Sequence, residues 1–347
     1  MKNISKLIVG ILFSALVMSP SFAGEMTVTG GATATFTMNG DDDSQGRNIG
    51  ISNELDFSAS GELDNGYTWS YQVQLDNATA NNDDTKLVIG MGDLGTVGIF
   101  NTEGGLSQEL HGVGALGAGY DYVSPSAFKA GMDVSDYSNI QYHSPSGLLP
   151  LGAQVKVGFV PNMSATTQIS AKESAAEGSQ ATGRNMEQIA LTMAPIDGLS
   201  LQADAVRTKN ETGAAASVEP GVGANVGAKY TMGAITVGYV EGGYQAAIAS
   251  GELAYYENTH WALQYDVNDA VSVSYNMDKS EKNQRVAVAV GATVGTKTLT
   301  EMEQESWQIA YTTGGATIGI ATADVTNADY LSGKDERQTV VSLGISF

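Results

Sequence analysis

Hydrophobic and polar residues alternate along many short segments of the chain. The segment 67–76 reads YTWSYQVQLD, with aromatic and aliphatic residues at odd positions and Thr, Ser, Gln and Asp at even positions. The same period of two returns in WALQYDV at 261–267, in VSVSYNMD at 271–278 and in VVSLGISF at 340–347. Successive side chains of a strand point to opposite faces, so each segment is predicted to be a β-strand with one apolar face.

The alternation predicts sixteen strands, joined in turn by tight hairpins and by long polar loops. They are expected near residues 25–38, 48–62, 67–77, 85–92, 95–101, 139–145, 152–160, 185–195, 199–209, 221–232, 234–242, 252–266, 270–280, 300–312, 315–325 and 337–347. No amphipathic helix of useful length is predicted beyond the amino-terminal segment. About 20 residues for each strand and connection suits a tilted strand of roughly 10 residues that crosses a bilayer.

The amino terminus has the three parts of a secretory signal peptide. Lys2 and Lys6 precede an apolar run from Leu7 to Met18, and the small residues around Ala23 follow. A run of about a dozen apolar residues is too short for a membrane helix, which needs roughly 20. We therefore expect residues 1–23 to be removed and residues 24–347 to form a single domain.

Composition and charge exclude several classes of function. The chain carries 17 basic and 38 acidic residues, a net charge of −21, which becomes 15 − 38 = −23 once Lys2 and Lys6 are removed. Nucleic acid is therefore a poor partner. The absence of cysteine excludes disulfides and thiolate chemistry, and the three histidines lack zinc-ligand spacing. No cofactor is expected, although DDDSQG at 41–46 leaves surface binding of Ca²⁺ open.

Two all-β architectures differ in what the apolar face of each strand contacts. A soluble sandwich hides that face inside, whereas an outer-membrane barrel turns it to lipid and fills its lumen with polar side chains and water. The polar partners here are mostly Thr, Ser, Gln, Asn and Asp, and composition shows no break that would divide the chain. We predict an all-β, 16-stranded antiparallel transmembrane β-barrel.

The carboxyl terminus and one internal segment resemble a known family. Val341, Leu343, Ile345 and Phe347 lie on one face of a strand that ends in an aromatic residue, and GDLGTVGIFNTE occupies residues 92–103. With the predicted export and strand count, the chain resembles the general diffusion porins of Gram-negative bacteria. In that family the last strand is an assembly signal that the barrel-assembly machinery reads.

This resemblance implies the protein's role and partners. It implies an outer-membrane homotrimer, not an enzyme, whose water-filled channels pass small hydrophilic solutes and ions by diffusion. It also implies that the connection after residue 101 folds inward as a constriction loop. This connection contains Gly112, Gly114 and Gly117, a G-x-G-x-x-G match. Because no helix pattern follows, we interpret these glycines as backbone freedom for the loop and not as a dinucleotide site.

Charged residues at the pore constriction follow from the same resemblance. The loop would supply the acids Glu103, Glu109, Asp121, Asp133 and Asp136. Parity along the strands points Lys86, Lys156 and Lys229 inward, and Arg47 could reach in from the top of the second strand. The family usually sets a cluster of basic residues against the acids, but this chain has only five Arg. We therefore expect a net negative lumen that prefers cations.

Two alternatives stay open at this stage. One is an exported structural or adhesive β protein whose acidic surface loops bind partners. The other is a barrel channel selective for one nutrient class, although no aromatic slide or basic ladder that would favour sugar or phosphate is visible in the sequence.

Overall fold

The structure, a computed structural model, describes nine stretches of the chain. They are residues 26–40, 46–76, 84–126, 128–129, 131–163, 184–210, 220–245, 252–286 and 297–347. The predicted signal peptide lies outside these residues, as does most of the DDDSQG stretch. Among the described residues, no helix is both long and apolar enough to cross a membrane.

Sixteen strands make up most of the described chain, as predicted. Their bounds are β1 Met26–Gly40, β2 Arg47–Glu62, β3 Thr68–Asp76, β4 Thr85–Gly90, β5 Thr96–Asn101, β6 Asn139–His143, β7 Gln154–Val160, β8 Arg184–Ile196, β9 Leu199–Asn210, β10 Val222–Met232, β11 Ile235–Gln245, β12 Glu252–Asn268, β13 Val271–Val286, β14 Lys297–Thr313, β15 Ala316–Thr326 and β16 Glu336–Ser346.

The strands form one closed antiparallel barrel in which each strand pairs with its neighbours in sequence. The barrel closes between β1 and β16, where register pairs run from Gly31 opposite Ser346 to Gly40 opposite Arg337. Beyond this ladder, Gly30 and Phe347 exchange two backbone hydrogen bonds of 2.9 Å. The fold predicted from the alternation is therefore confirmed, down to the number of strands.

The two faces of the barrel differ sharply in exposure and polarity. On β14, Trp307, Ile309 and Tyr311 are 60%, 45% and 45% exposed, whereas the alternate residues Gln304 and Gln308 are 0% and 4% exposed. A closed barrel turns one parity outward and the other into its lumen. The exposed apolar parity is therefore the outer face, as in a barrel that faces lipid.

Aromatic and charged residues divide the outer face into levels. Tyr275 on β13 packs between Trp261 and Trp307, with ring centroids 5.3 Å and 4.7 Å away. Glu305 lies two residues before Trp307 on the same face of β14, nearer the end of the barrel that carries the long loops. From Glu305 to the turn at Gly314 the strand rises about 23 Å, if it tilts by about 40°. This height matches the apolar band of roughly 25 Å in outer-membrane barrels.

Three details differ from the sequence prediction or qualify it. β13 continues to Val286, past its predicted end at 280, and the successive residues Glu281 and Lys282 are polar on its two faces. Alternation does not report a strand there, because a strand that rises above the lipid meets water on both sides. A four-residue helix, α1 (Gly119–Tyr122), also forms where no helix was predicted. The predicted assembly residues Leu343, Ile345 and Phe347 are exposed on the outer face, and Val341 is half-buried there.

The lipid-facing assignment predicts a depth-dependent response to a buried charge. Ile309→Lys places an ammonium in the apolar band and should lower the free energy of unfolding by about 2–4 kcal/mol. Ser52→Lys, at an exposed position on the inner face, should change it by less than about 1 kcal/mol. Urea unfolding in lipid vesicles, followed by tryptophan fluorescence, measures both. Equal losses in the two variants would contradict the assignment of the faces.

Candidate functional site

Residues 102–138, which we call the β5–β6 segment, hydrogen-bond to strands far from the two that they join. Five bonds connect the Gln108 amide to Asp204 Oδ1 of β9 (2.7 Å), the Gly114 amide to Gln264 Oε1 of β12 (3.3 Å), the Ala115 amide to Ser274 Oγ of β13 (2.9 Å), the Leu116 amide to Gln308 Oε1 of β14 (2.8 Å) and the Tyr122 hydroxyl to Ser342 Oγ of β16 (2.6 Å). All five partners have the inner-face parity.

The segment also packs apolar side chains against the inner face. Leu106 and Val134 form a buried cluster with Val160, Met186 and Val206 of β7, β8 and β9. Farther along, Val123 packs with Ala321, Ala323 and Val340 of β15 and β16. These strand residues point inward, so the inner face carries apolar patches as well as polar side chains where the segment covers it. The polar lumen predicted from the sequence does not include these apolar patches, although apolar residues at inward parity indicate them.

The path of the segment depends on two glycines. Gly112 has φ +61°, in the left-handed region that favours glycine. Gly119 begins α1 against the wall, where a Cβ atom would lie 2.7 Å from Asp278 Oδ2 and 2.6 Å from Ser306 Oγ. Only a residue without a side chain allows this approach, so the sequence directs the segment onto β13 and β14.

A buried polar pair lies beneath α1. His260 Nδ1 and Asp278 Oδ1 are 2.9 Å apart, and both side chains are about 1–2% exposed. The ring of Tyr120 packs 4.7 Å from His260. Phe128 completes the cover, 4.9 Å from Tyr120. The pair thus holds the segment on β12 and β13. Spacing could not reveal it, because the two residues meet only through the register of neighbouring strands.

Three of the five predicted constriction acids lie together within the segment's own fold. Asp133 accepts the backbone amides of Leu106, Ser107 and Ser135. Asp136 accepts the Asp133 amide at 3.3 Å, and burial raises its pKa against the effect of that hydrogen bond. Both carboxylates therefore shape the segment's backbone.

Glu109 is the third acid of this group. Its Oε2 accepts the Gly131 amide at 3.0 Å. Burial raises the pKa of Glu109 to about 7; the Gly131 amide opposes this shift, and the carboxylates of Asp133, Asp204 and Asp136 add to it. The group is therefore partly neutral near pH 7 and is a weak source of fixed negative charge.

The remaining predicted residues occupy three different settings. Lys86 points inward and binds Glu103 with Nζ and Oε2 3.2 Å apart, so these charges neutralise each other. Asp121 is exposed on α1. Lys156 and Lys229 have inward parity, opposite Ala190 of β8 and Gly238 of β11. The structure thus does not bring the predicted basic residues into one cluster.

The prediction that Arg47 reaches into the lumen is wrong, because the register of β1 and β2 places it on the outer face. It begins β2 opposite Met38, and Ile49 lies opposite Phe36 on the same face. Ile49 is 77% exposed on the outer face. Because side chains two residues apart share a face, Arg47 points away from the lumen.

One wall of the lumen stays uncovered. The inner face of β1, β2 and β3, which we call the β1–β3 wall, keeps its side chains exposed or half-buried, as at Thr29, Ser52 and Gln72. On β13 and β14, by contrast, Asn276 and Gln304 are 0% exposed beneath the segment. The lumen therefore has a covered side and an accessible side.

Comparison with known proteins identifies the fold but no sequence family. No protein-family model matches the chain, and no curated protein matches it in a sequence search. A loop-deletion mutant of OmpT, an outer membrane protein of Vibrio cholerae, is similar with a TM-score of 0.65 and 12% identity, over 94% of this chain and 100% of that one.

Two further solved structures share the barrel. The trimer form of OmpT from Vibrio cholerae has a TM-score of 0.58 and 11% identity, covering 93% of this chain and 99% of that one. The anion-selective porin from Comamonas acidovorans has a TM-score of 0.62 and 12% identity, covering 93% and 100%. Identities this low establish the porin-type 16-strand barrel and nothing finer.

The raised pKa of Glu109 predicts a pH dependence of stability. Between about pH 4.5 and pH 7 the folded chain holds a proton that the unfolded chain releases, so stability should fall as pH rises through this window. Glu109→Gln keeps the acceptor for Gly131 and removes the charge. At pH 8 it should therefore unfold at a higher temperature than the native protein. The gain in free energy of unfolding is at most roughly 3 kcal/mol, and it is smaller because the side chain is only half-buried.

Thermal unfolding in detergent at pH 4 and pH 8 provides the test. Near pH 4 the two proteins should behave alike, since both side chains are then neutral. Glu305→Gln, at an exposed position on the outer face, is the matched control and should leave the pH dependence unaltered. A Glu109→Gln protein with the native pH profile would show that this carboxyl group does not titrate near pH 7.

Proposed function

We propose that the protein is an outer-membrane porin of a Gram-negative bacterium, with a water-filled channel for passive diffusion of small hydrophilic solutes and ions. One observation carries the proposal: a closed barrel with an apolar outer face encloses a polar wall that stays accessible beside a covered one. Such an interior admits water and solutes, while the outer face fits lipid. The similar folds of solved porins support this function.

The β5–β6 segment is proposed as the constriction loop of this channel. Its hydrogen bonds to inward side chains of β9, β12, β13, β14 and β16 support a course across the lumen. A segment held at so many points has little freedom to swing out of the pore. It would therefore reduce the cross-section permanently, and the open path would follow the β1–β3 wall.

Cation preference is part of the proposal. Asp121 is exposed on the segment, and the inward Lys86 is neutralised by Glu103. Fixed negative charge in a narrow aqueous passage with low-dielectric walls concentrates cations. Lys156 and Lys229 oppose this effect from other strands, which limits its strength.

A homotrimer of non-enzymatic barrels is the proposed assembly. The trimer form of OmpT, which has a similar fold, supports this oligomeric state. Lipid, small solutes and the barrel-assembly machinery are the proposed partners, and no cofactor is needed for diffusion. Among the described residues, no group of three or more His, Cys, Asp and Glu side chains could hold a metal ion.

Single-channel recording tests the function. The exported protein, purified in detergent and added to a planar bilayer, should give stable conductance steps, and a homotrimer should close in three levels. Under a KCl gradient the reversal potential should have the sign for cation preference. A heat-modifiable barrel that inserts but passes no current would contradict the channel and favour the structural or adhesive role. Saturable passage of one nutrient class would favour a selective channel.

A further inference from the structure

The accessible side of the lumen contains a recess beside the seam where the barrel closes. It has a volume of about 480 Å³, and the inward residues that line it are Thr29, Thr33, Ser52, Glu54, Asp56 and Ser346. The recess thus lies on β1, β2 and the end of β16. Every side chain in this inward group is polar. Gly30, Gly31, Asn53 and Phe347 also line the recess, and Phe347 is its one apolar side chain. The recess therefore suits water and hydrated ions.

The β5–β6 segment contacts β16, one of the strands that line the recess. Tyr122 of the segment bonds to Ser342 of β16, and Ser342 lies opposite Thr35 of β1. Farther along the same two strands, Gly31 lies opposite both Ser346 of β16 and Glu54 of β2. A solute that passes the edge of the segment therefore meets the face of β1 and β2 that carries Glu54.

Two carboxylates dominate the charge of this recess. Glu54 is exposed, and Asp56 follows it on the same face with Cα atoms about 7 Å apart. Asp56 Oδ1 accepts a 2.5 Å hydrogen bond from Gln72 Nε2 of β3, which orients the group without neutralising it. Both carboxylates thus face the accessible path.

No basic side chain offsets these carboxylates within the described residues of β1, β2 and β3. Arg47, the one Lys or Arg of these three strands, lies on the outer face opposite Met38. On the next strand, Lys86 is held by Glu103 at 3.2 Å. The accessible wall therefore bears uncompensated negative charge.

We propose that Glu54 and Asp56 determine the cation preference of the channel by concentrating small cations in the recess. The assignment rests on the proposed porin function. It goes further because it attributes cation preference to the β1–β3 wall and not to the acids of the segment. Asp133, Asp136 and Glu109 hold the segment's backbone, and Glu103 is paired, which leaves Asp121 as its exposed acid.

The size of the effect follows from Coulomb's law. In water, one carboxylate about 7 Å from a monovalent cation raises the local concentration of that cation roughly threefold, and low-dielectric walls increase this factor. Salt screens the attraction, since the Debye length falls from about 10 Å at 0.1 M to 3 Å at 1 M. Selectivity that arises from Glu54 and Asp56 should therefore weaken as KCl concentration increases.

Reversal potentials in planar bilayers test the assignment. The double variant Glu54→Gln/Asp56→Asn should lose cation preference, with the ratio of potassium to chloride permeability falling at least about threefold in 0.1 M KCl. Its single-channel current should remain, because both substitutions preserve size. Glu305→Gln, which removes a carboxylate from the outer face, is the matched control and should keep the native ratio.

Two further variants make the outcome decisive. Glu54→Gln alone, at an exposed position, should lower the ratio of potassium to chloride permeability. This single variant keeps the Asp56–Gln72 contact, so a folding defect from weakening that contact cannot explain its result. Asp121→Asn should change the ratio less than the double variant does. A native ratio in both the double variant and Glu54→Gln would overturn the assignment while leaving the channel intact. A folded native barrel without current would overturn the porin function together with it.

Discussion

Closure of the backbone hydrogen-bond ladder is the constraint on which the rest of the structure depends. Each strand satisfies its amides and carbonyls through its two neighbours, and the pairing of β1 with β16 leaves no edge. Since strands have period two, closure forces every second side chain to the same side of the wall. The separation into an exposed apolar face and an enclosed polar face follows from this geometry and the alternating sequence.

The β5–β6 segment imposes a second constraint, because it brings irregular backbone against the wall. Its amides need partners, and the wall supplies them through Asp204, Gln264, Ser274 and Gln308. The Gln308 amide group returns a bond to the Gly117 carbonyl. The polar side chains on these strands therefore bind the segment's backbone. Because the segment covers them, many inward residues are fully buried.

Periodicity was sufficient to predict the strands but not to predict what the inner face contacts. The sixteen strands follow from alternation because lipid and water impose opposite requirements on its two faces. Which wall the segment covers depends on strand register and barrel tilt, which the alternation of a strand does not specify. The His260–Asp278 pair and the outward position of Arg47 are both consequences of register. Ala321 and Ala323, small apolar residues at inward parity, were the readable sign of a covered wall.

Net charge is a poor guide to the field that an ion meets, because charges at different places in this barrel have different effects. Glu305 lies on the outer face, and the Lys86–Glu103 pair cancels within the wall. Asp133 is turned toward backbone amides. The Comamonas acidovorans porin, which has a similar fold, is anion-selective, so this fold does not by itself require cation preference. In the proposed channel, selectivity would come from the few side chains that remain accessible once the segment has covered its wall. On the β1–β3 wall those charged side chains are carboxylates alone.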